Sequence, residues 1–226
     1  MTWINLGDPY PKENPEPYIP FKWEKGDIIR LKMFPESLNL PFSEVLDARM
    51  SKRQFGAIDD SQLGIFLWHA CRTRGTGASE LGFDLEHRAS PSAGAIHPIH
   101  LLLNRPRDIR WWLYQPRHHE LVEIKEAQSK LLGLSAFSKK VLKGDNAICI
   151  LFLAEPGKTL AKYQHGCSLI WRDTGALISI MALTAAAQGL QFCPLGITGE
   201  PWASGLIDQR QLVGVGCALL GSEMKL

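Results

Sequence analysis

Ser90-Pro91-Ser92-Ala93-Gly94-Ala95-Ile96-His97-Pro98 is the most informative run in this chain. Small residues cluster between two prolines, so other groups approach the backbone closely. Glycine at 94 admits dihedral angles closed to other residues, and Pro91 and Pro98 stiffen the ends. A loop of this kind suits a flat ligand lying along it. The same run also reads as a tight turn, with His97 fixing the loop by hydrogen bonding. Ile99 to Leu103 follows it and reads as a buried strand.

Upstream, Asp59-Asp60-Ser61 precedes Leu63, Ile65, Phe66, Leu67 and Ala70. Cap candidates and acid in the first turn, followed by an apolar stripe, predict a helix that Gly75 and Gly77 close. Downstream, Trp111 to Tyr114 and Glu120 to Ile124 flank a polar turn and predict a hairpin. Glu126 to Phe137 reads as a helix, and Ala147 to Ala154 as a buried strand. A long helix is expected from about Tyr163 to Leu190, apolar almost all round and therefore central. Leu212 to Leu220 reads as a final strand. Helices and strands mix without a regular βαβ period, which favours α+β. Residues 1–40 carry six prolines, Pro9, Pro11, Pro15, Pro17, Pro20 and Pro35, with Pro41 just after them, and are read as an extended N-terminal arm, with one domain over 41–226. Such an arm either wraps over the body or a partner subunit, or hangs as a loose tail.

Composition removes several function classes. The chain has 226 residues, 45% hydrophobic and 21% charged, which is enough for one full core. A net charge of +2 argues for neither nucleic acid nor an anionic membrane as a partner. The cysteines at 71, 149, 167, 193 and 217 form neither CxxC nor zinc spacing, so no metal site is expected. An odd, scattered set fits reduced thiols and a cytoplasmic location. The N-terminus lacks the apolar run of a secretory signal. Gly175 to Ala187 is shorter than the ~20 residues that cross a bilayer.

Two further groups carry chemistry. In extended backbone Arg49, Ser51 and Arg53 face one side together. Two guanidinium forks and a hydroxyl suit a dianionic phosphate, although a basic run is also what a solvated face looks like. Lys162 and Tyr163 both serve in proton transfer if their ordinary values near ~10 are moved well down. As sequence neighbours they do not share a helix face, so they reach one substrate together only at a helix entrance.

The order and spacing of these groups resemble the nitroreductase superfamily. Within it they look like the SagB-type branch, which includes azoline dehydrogenases. The resemblance covers about residues 45 to 220, and Pro91 to Pro98 is its most specific part. Tyr114, His119 and Leu121 match the branch's hairpin. The resemblance implies an α+β homodimer with a mostly antiparallel central sheet, a long buried central helix and FMN at the subunit interface. It implies that Arg49, Ser51 and Arg53 grip the phosphate and ribityl chain. Pro91, Ser92, Ala93 and Gly94 would lie along the isoalloxazine, supplied largely by the other subunit. Leu195 and Gly196 would meet its N5 edge. Lys162 and Tyr163 match the pair proposed as catalytic. The chain departs from the pattern at the tail, where only Lys225 stands for a basic pair, and at Arg172-Asp173-Thr174-Gly175-Ala176. There Asp173 takes an acidic place, and Ala176 replaces a histidine. The activity implied is FMN-dependent dehydrogenation of a peptide-derived or natural-product heterocycle, with O2 or NAD(P)H as redox partner and a biosynthetic enzyme as partner. The alternatives are an NAD(P)H-dependent nitro or quinone reductase and an FMN-less scaffold.

Overall fold

The computed structural model describes residues 4–33, 38–125, 127–206 and 212–224. In chain order the elements are β1 (Tyr10–Pro11), β2 (Lys25–Arg30), α1 (Phe42–Ala48), α2 (Asp60–Cys71), β3 (Gly75–Gly77), β4 (Leu85–His87), β5 (Ile99–Asn104), β6 (Trp111–Gln115), β7 (Glu120–Ile124), α3 (Ala127–Lys130), α4 (Leu132–Val141), β8 (Ile148–Ala154), α5 (Pro156–Lys162), β9 (Tyr163–Gln164), α6 (Cys167–Ala187), β10 (Gln191–Leu195) and β11 (Val213–Gly221). A seven-stranded sheet runs in the order β10-β11-β8-β5-β6-β7-β2. Every neighbouring pair in it is antiparallel. The fold is therefore α+β, as expected.

Strand alternation explains how the sheet carries two cores. Successive side chains point to opposite faces. In β8, Ile148, Ile150 and Phe152 join a core with Leu63, Phe66, Leu67, Leu177 and Met181. Cys149, Leu151 and Leu153 enter a second core with Leu134, Trp111 and Cys217. All seven β8 residues are buried, which is why that run is apolar without alternation. On the first face α2 opens with a reciprocal cap: Gln62 N donates to Asp59 Oδ1 at 2.8 Å, and Asp59 N donates to Gln62 Oε1 at 3.2 Å. Leu63, Phe66, Leu67 and Ala70 then share its buried stripe.

Three expected elements come out differently. The helix expected over 126–137 is two helices, α3 and α4, hinged at buried Leu131, and α4 runs on to Val141. Glu126 lies outside the described residues. The hinge brings Gly133 beneath the Trp202 indole, where no Cβ would fit. The helix expected from Tyr163 to Leu190 starts at Cys167. Lys162 instead ends α5, and Tyr163 is extended at φ −118°, ψ 133°. His165, at φ +52°, reverses the chain before α6. The long helix buries Ile170, Asp173, Thr174, Leu177, Met181, Thr184 and Ala185 on one side, while Trp171, Gly175 and Ser179 are exposed. Within the proline-rich stretch, β2 pairs with β7 at the sheet edge and β1 pairs with β9.

Phe152 is fully buried in β8. Phe152→Ala is expected to destabilise the protein by about 3–5 kcal/mol, read from urea unfolding midpoints.

Candidate functional site

The small-residue loop is pinned to α6 by one carboxylate. Ser92 Oγ donates to Asp173 Oδ2 at 2.5 Å, and Ala93 N donates to Asp173 Oδ1 at 3.0 Å. Ser92 Oγ also accepts from His97 N at 2.9 Å, which closes the loop on itself. Burial pushes the Asp173 carboxyl above its ordinary value, against the hydrogen bonds from Ser92 and Ala93. Between those anchors Ala93–Ala95 makes one 3-10 turn, with Gly94 at φ +63° in the left-handed region.

Gly94 is also where the loop meets Lys162 and Tyr163. A Cβ there would stand 2.9 Å from Lys162 Nζ and 3.0 Å from Tyr163 Oη. The pair stands at the exit of α5, where the chain turns into β9, and not at the helix entrance expected, yet both polar atoms face Gly94. Lys162 Nζ lies 5.6 Å from the Tyr163 ring centroid. A cleft of about 650 Å³ opens beside the loop, lined by Gly75, Thr76, Gly77, Arg88, Pro91 and Ser92 among others.

The basic segment lies elsewhere. Arg49, Ser51 and Arg53 are exposed on an extended strip after α1. Lys52 N donates to Phe192 O at 3.2 Å, and Gly56 and Ser222 exchange backbone bonds of 2.8 and 2.9 Å. Burial raises the Cys193 thiol, and the Arg53 guanidinium beside it opposes this. Half-buried Leu195 ends β10 and exposed Gly196 follows, with open space where its Cβ would be. Lys225 lies outside the described residues. Met50 and Lys52 share a cavity of about 180 Å³ with Ala182, Ala185 and Ala186 near the end of α6. Asp173 sits near the start of the same helix, about 20 Å away at 1.5 Å per residue. One copy of the chain therefore joins the loop to Lys162 and Tyr163, but does not join either to Arg49, Ser51 and Arg53.

Sequence reasoning missed the charged layer under the loop. Burial pushes the Glu86 carboxyl up, but Arg88 and hydrogen bonds from Thr73, Arg117 and Arg88 outweigh it and hold it at about 2. His97 is pushed down to about 4 by burial and then by Arg88, so the ring is neutral. Lys158 falls to about 8 for the same two reasons. Glu155 is fully buried and accepts from Tyr18 Oη at 3.0 Å and Phe21 N at 2.5 Å, and bonds His100 Nε2 at 3.0 Å. Glu155-Pro156, an acid before a first-turn proline, was the available signal for α5. Among the described residues no group of His, Cys, Asp and Glu is placed to hold a metal ion.

The model of the nitroreductase family matches residues 46–208. The chain belongs to the nitroreductase family. Its fold is shared with a candidate nitroreductase from Ralstonia eutropha JMP134, at a TM-score of 0.64 and 20% identity over 97% of this chain and 99% of that one. A candidate nitroreductase from Anabaena variabilis ATCC 29413 gives 0.58 and 18% over 92% of this chain, which spans only 41% of that longer protein. The E. coli microcin synthetase McbBCD complex with truncated pro-MccB17 bound gives 0.56 and 16%, over 85% and 76%. No curated protein matches the chain by sequence. In this chain Asp173 of α6 holds the loop, and Gly94 of that loop meets the Lys162–Tyr163 junction.

Holding Glu86 at about 2 rather than the ordinary 4.5 corresponds to roughly 3 kcal/mol of stability. A depressed carboxylate contributes in full above about pH 4.5 and loses its contribution as pH falls through about 2. Glu86→Gln is therefore expected to lower the thermal midpoint at pH 7, with the gap to the parent protein closing in melts below pH 4.5.

Proposed function

We propose that this nitroreductase-family protein is an FMN-dependent oxidoreductase of the SagB type, dehydrogenating an azoline or similar heterocycle in a peptide or natural product. The observation that carries this reading is the meeting of Lys162 Nζ and Tyr163 Oη at Gly94, on the loop suited to a flat ring system. A reductase that passes hydride straight to an acceptor needs no protein base there. The McbBCD neighbour shares only the fold, but its complex holds a truncated pro-peptide. The same class of substrate is proposed here, together with a biosynthetic partner enzyme.

The residues present fit FMN. Among the described residues no carboxylate pairs with Arg49 or Arg53. These two guanidinium groups and the Ser51 hydroxyl are a donor set left for a phosphate. Pro91, Ser92, Ala93 and Gly94 offer bare backbone for the ring, and Leu195 and Gly196 offer another edge. When bound, the flavin supplies the two-electron acceptor. Lys162 or Tyr163 takes the proton from the carbon next to the leaving hydride. Gly94, lacking a side chain, lets both polar atoms stand close to the ring's place. Asp173, which accepts from Ser92 and Ala93, would hold the loop in place for it.

Because loop and basic strip lie at opposite ends of α6, the proposed enzyme is a homodimer. A two-fold partner packed antiparallel on the exposed Trp171, Gly175 and Ser179 stripe would bring one copy's loop toward the other copy's Arg49–Arg53 strip. Domain limits follow the same reading, with 41–226 holding the cofactor and 1–40 acting as an arm whose β2 adds the edge strand of the sheet.

Two outcomes are expected. Lys162→Ala and Tyr163→Phe retain the yellow cofactor but oxidise a thiazoline-containing peptide to the thiazole at least about 10²-fold more slowly. Undiminished turnover, or rapid bleaching of the flavin by NADPH in both variants, points to the reductase instead. Gly175→Trp, on the exposed stripe, converts the protein to a monomer by light scattering and releases FMN. A variant that stays dimeric and yellow removes that stripe from the interface.

A further inference from the structure

We propose that residues 7–18 of the N-terminal arm are a strap that positions Lys162 and Tyr163 against the Gly94 loop. This rests on the reading of that pair as the proton-transfer groups. The strap's contacts fall on the pair's own backbone. β1 lies antiparallel to β9, with Tyr10 opposite Gln164 and Pro11 opposite Tyr163. Lys12 N donates to Lys162 O at 2.8 Å, and Glu16 N donates to Ala161 O at 3.2 Å. Tyr10 Oη donates to Gln164 Oε1, and its ring lies 5.8 Å from the His165 ring. Without these partners the chain between α5 and α6 would be a short bare turn, free to change the aim of both side chains.

The far end of the strap is latched in a notch made for one side chain. Tyr18 N donates to Leu81 O at 2.8 Å, and Tyr18 Oη donates to the fully buried Glu155. Its ring fills the space that a Cβ on Gly157 would occupy, and a Cβ on Gly82 would come within 2.8 Å of Tyr18 O. Tyr18 and Tyr163 pack against the same small buried cluster, formed by Leu81, Ile96 and Ala161. Ile96 belongs to the Gly94 loop. Arm, loop and proton-transfer pair therefore share one apolar centre, and the aim of Lys162 and Tyr163 depends on the strap being seated. Tyr18 and Glu155 are positioning residues on this account, since neither touches the pair's polar atoms.

Two variants of the FMN-loaded protein test the strap. Deletion of residues 1–11 removes β1 but keeps the Tyr18 latch. Gly157→Ala keeps the arm and puts a better helix former in α5, yet evicts the Tyr18 ring. A thermal melt confirms that each remains folded. The first readout is the acetylation rate of Lys162 by acetic anhydride, followed by mass spectrometry with Lys139 and Lys140 as internal references. Both variants are expected to label about tenfold faster at Lys162 alone. Unchanged labelling in both overturns the strap. The second readout is turnover of the thiazoline peptide, where kcat falls about tenfold while KM holds. Full kcat in both variants, when Lys162→Ala has lost it, also overturns the proposal. If Lys162→Ala itself keeps full turnover, the failure belongs to the proposed reaction, and the labelling rates still decide whether the strap holds the pair.

Discussion

Two hydrogen bonds converge on the carboxylate of Asp173, one from the Ser92 hydroxyl and one from the Ala93 amide, and through them the small-residue loop takes its position on the longest helix. A buried carboxylate is costly unless it is satisfied. Here the cost is offset by donors that belong to the loop, so the loop is held wherever α6 goes. α6 in turn is fixed by Leu177 and Met181, which pack on the same sheet face as Phe66 and Phe152. Helix, sheet and loop are therefore joined by a continuous chain of packed and hydrogen-bonded contacts. The left-handed turn at Gly94 sits within the loop, where the lack of a Cβ lets Lys162 and Tyr163 come close.

Several charges near that loop are paired within the scaffold: Glu86 binds Arg88 and Arg117 together, and Glu155 ties His100 to the arm. The exposed Arg49 and Arg53, which pair with no carboxylate among the described residues, form the strip proposed for the phosphate. Their distance from the loop along α6 makes a second copy of the chain part of the proposed site.

Much of this was legible in the residues, for identifiable reasons. β8 is buried on both faces, so its sequence is apolar throughout and reads unambiguously. The α2 cap is local, since Asp59 and Gln62 satisfy each other within one turn. The meeting of Gly94 with Lys162 and Tyr163 is not local. The resemblance named Gly94, Lys162 and Tyr163 separately and assigned the loop largely to the other subunit, so their approach within one chain came only from the structure. The start of α6 was misplaced because 156–190 is rich in helix formers on both sides of the break. What separates α5 from α6 is the pairing of Tyr163 and Gln164 with the arm, a contact made across more than 150 residues of sequence. β2 was hidden for the same reason, since an edge strand rich in charge takes its order from β7 rather than from its own pattern. The roles of Asp173 and Glu155 were invisible until their partners, distant in sequence, were in place.

The central claim is that two copies of this chain together hold one flavin, with the basic strip from one and the loop from the other. Complementation measures it directly. An Arg49→Ala/Arg53→Ala chain and a Gly94→Val chain, each unable to bind FMN alone, are unfolded together, refolded as a mixture and titrated with FMN by fluorescence quenching. Sites shared between copies predict that roughly a quarter of the sites recover full affinity, because half the dimers are mixed and each regains one intact site. A mixture that binds no more FMN than its separate components contradicts the account.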